Sequence, residues 1–528
     1  MATILLVALP ELDLPGTQPG ELTQDLRSPS VCADCHGGYA EYAAMDTWAG
    51  SMMANAMRDP LFLAALTVAN QDVPESGELC IRCHSPRAFL FGRATPADGS
   101  ALVPEDDESV QCDFCHRLVE GPGEARLIGN GQFFVADDVV RRGTLMDPLS
   151  PHDWAYSAYH ESSELCGLCH DVSNPLENDF PIERTYSEWQ ASAFPGEGVS
   201  CRQCHLPRVE PGYVSGAPNM PERAVGRHDL VGGNTWIPLV LAGEYPELGR
   251  EDAYQYTATR ARQMLEDAAE LSLQLTGVIA AEPGATAPSV VAGEFLGVVV
   301  RVENLTGHKL PTGYAEGRQC WLEVTIRDVD GNILYQSGGY DQVEARRIED
   351  PDLHTYEILL GADGEEGFHF ILSDQILQDN RIPPRGFRPT VETQPVGRTY
   401  PEQPDGSLAH WDEVTYDVAI PLDAALGAAT VETTLWYQTT SREYVEFLRD
   451  ENVTDDRGQD MYDLWDRYGR SPPVAMVRQE MVVGIQPPPS SGGCAATDAE
   501  RAPFGVILLG LLVFGVRRRG PEERKRLS

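Results

Sequence analysis

The chain has 528 residues, with 40 Lys and Arg against 81 Asp and Glu and a formal net charge of −41. That length gives room for about three or four domains of roughly 150 residues, and 42% hydrophobic with 23% charged residues is the composition of folded protein, which excludes wholesale disorder. So acidic a surface repels phosphate and excludes nucleic-acid binding as the main role.

Residues 1–28 hold a short apolar run, Ala2 to Pro10, with no Lys or Arg before it. This reads as a truncated or remnant signal peptide whose true start lies upstream. Residues 29–210 read as a mostly helical or irregular domain, rich in Pro and Gly and poor in strand signals. Within it, Tyr42 to Leu66 forms one or two helices broken at Asp59-Pro60.

Through this domain run five copies of one pattern: Cys32-x-x-Cys35-His36, Cys80-x-x-Cys83-His84, Cys112-x-x-Cys115-His116, Cys166-x-x-Cys169-His170 and Cys201-x-x-Cys204-His205. C-x-x-C-H is the attachment signature of c-type haem. With 12 Cys and 12 His in 528 residues, chance supplies about 0.006 such motifs. Two cysteines three apart on a tight turn both reach the haem vinyl groups, and the adjacent His becomes the proximal iron ligand. The motifs therefore predict five covalently attached haem c groups. Structural zinc would need an even number of Cys pairs, and neither zinc nor disulfide chemistry requires a His after every pair. Of the two remaining cysteines, Cys320 opens an apolar strand and reads as a buried thiol.

Five irons need up to five further ligands. His152 and His160 precede the fourth motif; were that stretch helical, their offset of eight would set them about 80° apart, facing different haems. His228 lies in GRHDLVGGN just after the haem domain, and His308 in a Gly/Pro-rich turn, NLTGHKLPTG. These four are the expected distal ligands, with Met53 or Met52 a weaker fifth, since His/Met ligation raises the potential. The alternative for the methionines is a helix core. His354, His369 and His410 read as structural or solvated.

Residues 211–285 read as a helical connector bearing a distal ligand, with 251–275 one long helix. From 286 to 487 the pattern turns to period two: Leu296 to Glu303, Trp321 to Arg327 before the Asp330-Gly331 hairpin signal, Thr434 to Thr439 and Val474 to Ile485. This is read as an antiparallel β-sandwich with long insertions. The fold class is thus α+β multidomain, a multihaem domain followed by a β-sandwich. Residues 488–528 comprise a Pro/Ser/Gly linker, Cys494, a 13-residue apolar run from Phe504 to Val516 and Arg517-Arg518-Arg519. The run falls short of the ~20 residues of a comfortable membrane span. The tail resembles the Gly-Cys tripartite sorting signals of myxobacterial surface proteins, a resemblance that implies processing or lipidation at Cys494; a plain tail anchor is the alternative.

The stretches WAGSMMANAMRDPLF, ELCIRCHSPRAFLFGR, VQCDFCHRL, HESSELCGLCHDVSNP, ERTYSEW and VSCRQCHLP, with GHKLPTG and LWYQTTSREY later, resemble the multihaem cytochrome c family related to the tetrahaem electron-transfer cytochrome of nitrifying bacteria. The resemblance spans about 29–487 and implies largely bis-His, low-spin haems packed closely enough for electron hopping. That family's core holds four haems, not five. Pentahaem nitrite reductases are similar in haem count alone: their active haem sits on C-x-x-C-K, and no C-x-x-C here precedes Lys.

The expectation is an extracytoplasmic pentahaem cytochrome relaying electrons between redox proteins, in the periplasm or at the outer membrane or cell surface of a Gram-negative bacterium, with membrane association through the tail. The alternative is an oxidoreductase acting on a small nitrogen or sulfur compound at one five-coordinate haem.

Overall fold

A computed structural model of the chain describes residues 14–122, 127–281, 287–314 and 317–489. The first thirteen residues and the tail with Cys494 lie outside the described residues. The first, second and fifth motifs lie within short helices, Ser30–His36, Gly77–His84 and Cys201–His205, while the third and fourth begin on Cys112–Cys115 and Glu164–Gly167 and run past their ends. Helices this short are marginal alone and depend on packing. For the second, third and fourth motifs it comes from a core of Leu66, Ile81, Phe89, Phe114, Phe133 and Leu168, whereas the helices of the first and fifth bury none of their own residues.

Helix α1, Pro60–Asp72, begins at the expected break. The Asp59 carboxylate accepts from the Leu61 N–H, and Pro60 occupies the first turn, where a missing N–H costs nothing. Upstream lie a helix, Ala44–Ala49, and a 3₁₀ turn, Met53–Arg58. α1 shares a second core with α2 (Ile237–Glu244), α3 (Glu251–Glu266), α4 (Arg442–Glu451) and α5 (Arg457–Arg467), built on Val68, Trp236, Val240, Tyr254, Leu448 and Trp465. The late hairpin α4–α5 thus returns to cover the helix that precedes the second motif.

Nine strands form two facing sheets. They are β1 (Ala269–Thr276), β2 (Ser289–Val291), β3 (Phe295–Asn304), β4 (Gln319–Arg327), β5 (Ile333–Ser337), β6 (His354–Thr355), β7 (Trp411–Ala419), β8 (Gly427–Gln438) and β9 (Val474–Gln486). One sheet runs β7–β3–β1, all antiparallel; the other runs β2–β9–β8–β4–β5, with β6 also pairing β4 and β2–β9 the parallel pair. On β3, Leu296, Val298, Val300 and Val302 are fully buried, every second residue as a half-buried strand requires. They pack with Leu322, Val324 and Ile326 of β4 and with Val431 and Leu435 of β8. The Asp330-Gly331 turn joins β4 to β5: Gly331 takes φ +84° and the Asp328 carboxylate accepts from the Asp330 and Asn332 N–H groups.

Two expectations are corrected. The helix predicted over 251–275 stops at Glu266, and 269–276 is strand β1, paired along its length with β3. The alternation Leu271, Leu273, Leu275 suits a sheet edge, so the sandwich begins inside the expected connector. The stretch from His152 to His160 is not a helix either. Trp154–Tyr156 pairs in parallel with Arg141–Gly143, and only Ala158–Glu161 turns, as 3₁₀. The described residues up to Pro487 form one compact unit, and among them no helix is long and apolar enough to cross a membrane.

Candidate haem-ligating site

A histidine ligates through the nitrogen that its other ring nitrogen leaves free, so the Nδ1 partner fixes the ligating atom. In three motifs that partner is a backbone carbonyl, which can only accept. His36 Nδ1 lies 2.9 Å from the Val214 oxygen, His116 Nδ1 2.6 Å from that of Arg142, and His205 Nδ1 2.7 Å from that of Val231. Each Nδ1–H therefore donates and Nε2 carries the lone pair. His170 Nδ1 sits 3.6 Å from a Glu183 carboxylate oxygen instead. His84 differs from all four: its Nδ1 is buried with no partner, and its ring stacks on Phe62 at 3.8 Å and 9°.

Burial lowers the pKa of His36, His116 and His205, and pushes His84 down to about 4. Neutral imidazole is the form that binds iron. Burial acts the same way on His170, but Glu183 overcomes it and raises that pKa.

The fold also brings cysteines of different motifs together. The Cys32 thiol hydrogen-bonds with that of Cys112, Cys83 with Cys169, and Cys166 with Cys201, while Cys115 lies close enough to Cys166 and Cys169 to raise their pKa values. Motif one therefore neighbours three, three neighbours four, and four neighbours both two and five. Cys35 and Cys204 are exposed, in the first and last motifs. The remaining motif thiols, Cys80 included, are half-buried. Cys320 is fully buried on β4, as expected.

The expected distal residues fall at distinct places. His228 faces His116, ring centroids 6.3 Å apart and planes at 37°, with its own Nδ1 buried and unpartnered. Two imidazoles on one metal, each bonded at about 2 Å, have centroids roughly 6 Å apart, so this pair fits a shared iron. His160 also lies near His116, at 5.9 Å and 14°, but its Nδ1 meets Ser157 Oγ at 2.9 Å and its Nε2 meets the Cys115 carbonyl at 2.8 Å. His152 is exposed, bonded to the Asp153 carbonyl, and near enough to His36 to oppose its protonation. His308, on the turn after β3, points Nδ1 at the Lys309 carbonyl at 3.0 Å, and His205 opposes its protonation. Met52 packs against the helical core. Met53 opens the 3₁₀ turn, its carbonyl accepting from the Val110 N–H just before the third motif. His354, His369 and His410 pair with Asp412, Asp72 and Glu303.

Thiol pairs beside imidazoles whose Nε2 is left free suit haem c: the cysteines would supply its thioether anchors and the imidazoles nitrogens to hold its iron. Among the described residues no three His, Cys, Asp or Glu side chains converge to hold a bare metal ion, whereas structural zinc needs four such ligands. Sequence reasoning missed Glu183, Phe62 and the carbonyls of Val214, Arg142 and Val231, for which the sequence carries no local signal.

The comparisons agree with this geometry. The family model for cytochrome c554 and c-prime matches residues 31–117, which contain the first three motifs. Among solved structures, the chain is similar to a penta-heme cytochrome c552 from Thermochromatium tepidum, at 19% identity and TM-score 0.51, covering 87% of this chain and 99% of that one. A Pseudomonas fluorescens alkylpurine DNA glycosylase, AlkC, bound to abasic-site DNA matches at 8% identity and TM-score 0.15 over 47% of this chain and 42% of its own. No curated protein matches. The five motifs and the placement of their thiols and imidazoles suit covalently attached haem c, the family model matches the first three of those motifs, and the solved cytochrome shares the fold.

Proposed function

We propose that the chain is an extracytoplasmic pentahaem cytochrome relaying electrons between redox proteins, in the haem order one, three, four, five, with the second haem branching from the fourth. The observation that carries this reading is the proximity of thiols of different motifs, each near enough to shift its neighbour's ionisation. Haems tethered to neighbouring cysteines would have their edges close to one another. The exposed Cys35 and Cys204 favour the first and fifth haems as the ports where partners dock. With 81 acidic against 40 basic residues, a basic partner suits this surface. The tail after Pro487 would hold the relay at a membrane or cell surface through Cys494, and the relation to the nitrifier cytochromes belongs to the same reading.

A second reading, one open catalytic iron, attaches to the second or fourth motif. His152 lies by His36, His160 and His228 by His116, and His308 by His205. His84 and His170 gain no expected distal histidine from these placements. Low-temperature EPR of the oxidised, haem-loaded protein separates the two. The relay reading predicts five low-spin haems; one high-spin haem in five that responds to nitrite or hydroxylamine would replace it with the enzyme.

A further inference from the structure

Lys309 is fully buried, and Glu188, Asp379 and Arg381 around it are buried too. Its Nζ lies 2.5 Å from Asp379 Oδ2, and Arg381 forks onto the same carboxylate through Nε at 2.8 Å and Nη2 at 2.9 Å. Arg381 Nη2 also pairs with Glu188 Oε1 at 2.9 Å. The other Glu188 oxygen accepts from the Lys309 N–H at 3.1 Å and from Thr312 Oγ1 at 2.9 Å. Glu188 is fully buried on the helix Thr185–Gln190, between the fourth and fifth motifs. Two acids and two bases thus form a neutral quartet linking the haem segment to the β-sandwich.

What the quartet grips is one turn, residues 305–314. Glu188 holds it at Lys309 and Thr312. On the other side Asn304 Nδ2 donates to the His308 carbonyl at 2.8 Å and to that of Ile382 at 2.9 Å, and Leu310 and Ile382 exchange backbone hydrogen bonds. His308 sits between these anchors. Its Nδ1 meets a carbonyl as in the first, third and fifth motifs, so Nε2 is again the free nitrogen. A buried ion cluster is seldom better for stability than apolar residues of the same volume, because desolvation offsets its Coulomb energy. Its use here is geometric: charge-assisted bonds of fixed direction hold the turn where a ligand must be placed within a fraction of an ångström.

We infer that the buried Glu188–Arg381–Asp379–Lys309 quartet is the positioning device that presents His308 Nε2 to a haem iron. This rests on the reading of His308 as a distal ligand, and the test keeps the two apart. In the haem-loaded full chain, His308→Ala is expected to turn one haem in five high-spin by EPR. Glu188→Gln and Lys309→Met should do the same in part, with added imidazole restoring the low-spin signal, a rescue that a merely structural lesion would not show. If His308→Ala exposes a high-spin haem while both quartet variants stay fully low-spin, the positioning role is overturned and the ligand stands. If His308→Ala leaves all five haems low-spin, the ligand reading falls and the inference with it. Should Lys309→Met fail to accumulate, Arg381→Lys, which keeps the charge and loses only the fork, must show the partial high-spin signal or the inference is wrong.

Discussion

At the scale of single residues, the differences among the five proximal histidines decide how their haems would differ. A carboxylate beside Nδ1 gives the imidazole anionic character and favours ferric iron, whereas a ring with no acceptor favours ferrous. Glu183→Gln is therefore expected to raise one midpoint potential by tens of millivolts, about 59 mV being a tenfold change for a one-electron couple. Spectroelectrochemical titration showing no haem moved would refute it. A second residue carries a pH signature. Burial pushes Asp59 up to about 7, against about 3.9 when unfolded. Between those values the native state holds a proton the unfolded chain lacks, so stability falls as pH rises from about 4 to 7 and then levels. Asp59→Asn keeps the cap of α1 and should flatten that slope, raising stability near pH 8 by about 1–2 kcal/mol, below the full linkage because the residue is only half-buried. Thermal melts across that range check it. The motif cysteines and histidines were legible because the motif is contiguous. The Nδ1 acceptors were not: Val214 lies 178 residues from His36, and Arg142 and Val231 each 26 from their histidines.

Among elements, strands and helices were legible where one period ran long. The alternations on β3, β4, β8 and β9 stood out, as did the Asp59-Pro60 start of α1. The run after Glu266 was ambiguous because seven residues of alternating leucine extend a helical pattern almost as well as they begin a strand; pairing with β3 decides it. The segment before the fourth motif went to strand for a similar reason. Arg141–Gly143 needs an edge partner, and the pairing both places His160 and steadies the Arg142 carbonyl against His116. The helical hairpin α4–α5 gives the sharpest element-level prediction. Trp465 is 1% exposed in the core it shares with α1, so Trp465→Ala should cost about 3–5 kcal/mol and open the hairpin to limited protease before the β-sandwich is cut. Cleavage in the sandwich first would contradict the shared core.

For the whole molecule, the proposed relay would be a conductor with two exposed ends, clad by a sheet pair and a helical hairpin that return to the motif segment. A net charge of −41 should make electron transfer with a basic partner protein fall steeply as ionic strength rises and the Debye length shrinks toward about 8 Å; stopped-flow rates independent of salt would remove electrostatic docking from the account. The proposed relay depends on covalent haem at all five motifs. The most direct test is the intact mass of the protein, made in a host that matures c-type cytochromes, before and after acidified-acetone extraction. Five haem increments retained through extraction are predicted; fewer increments, haem lost to the solvent, or zinc in place of iron would contradict it.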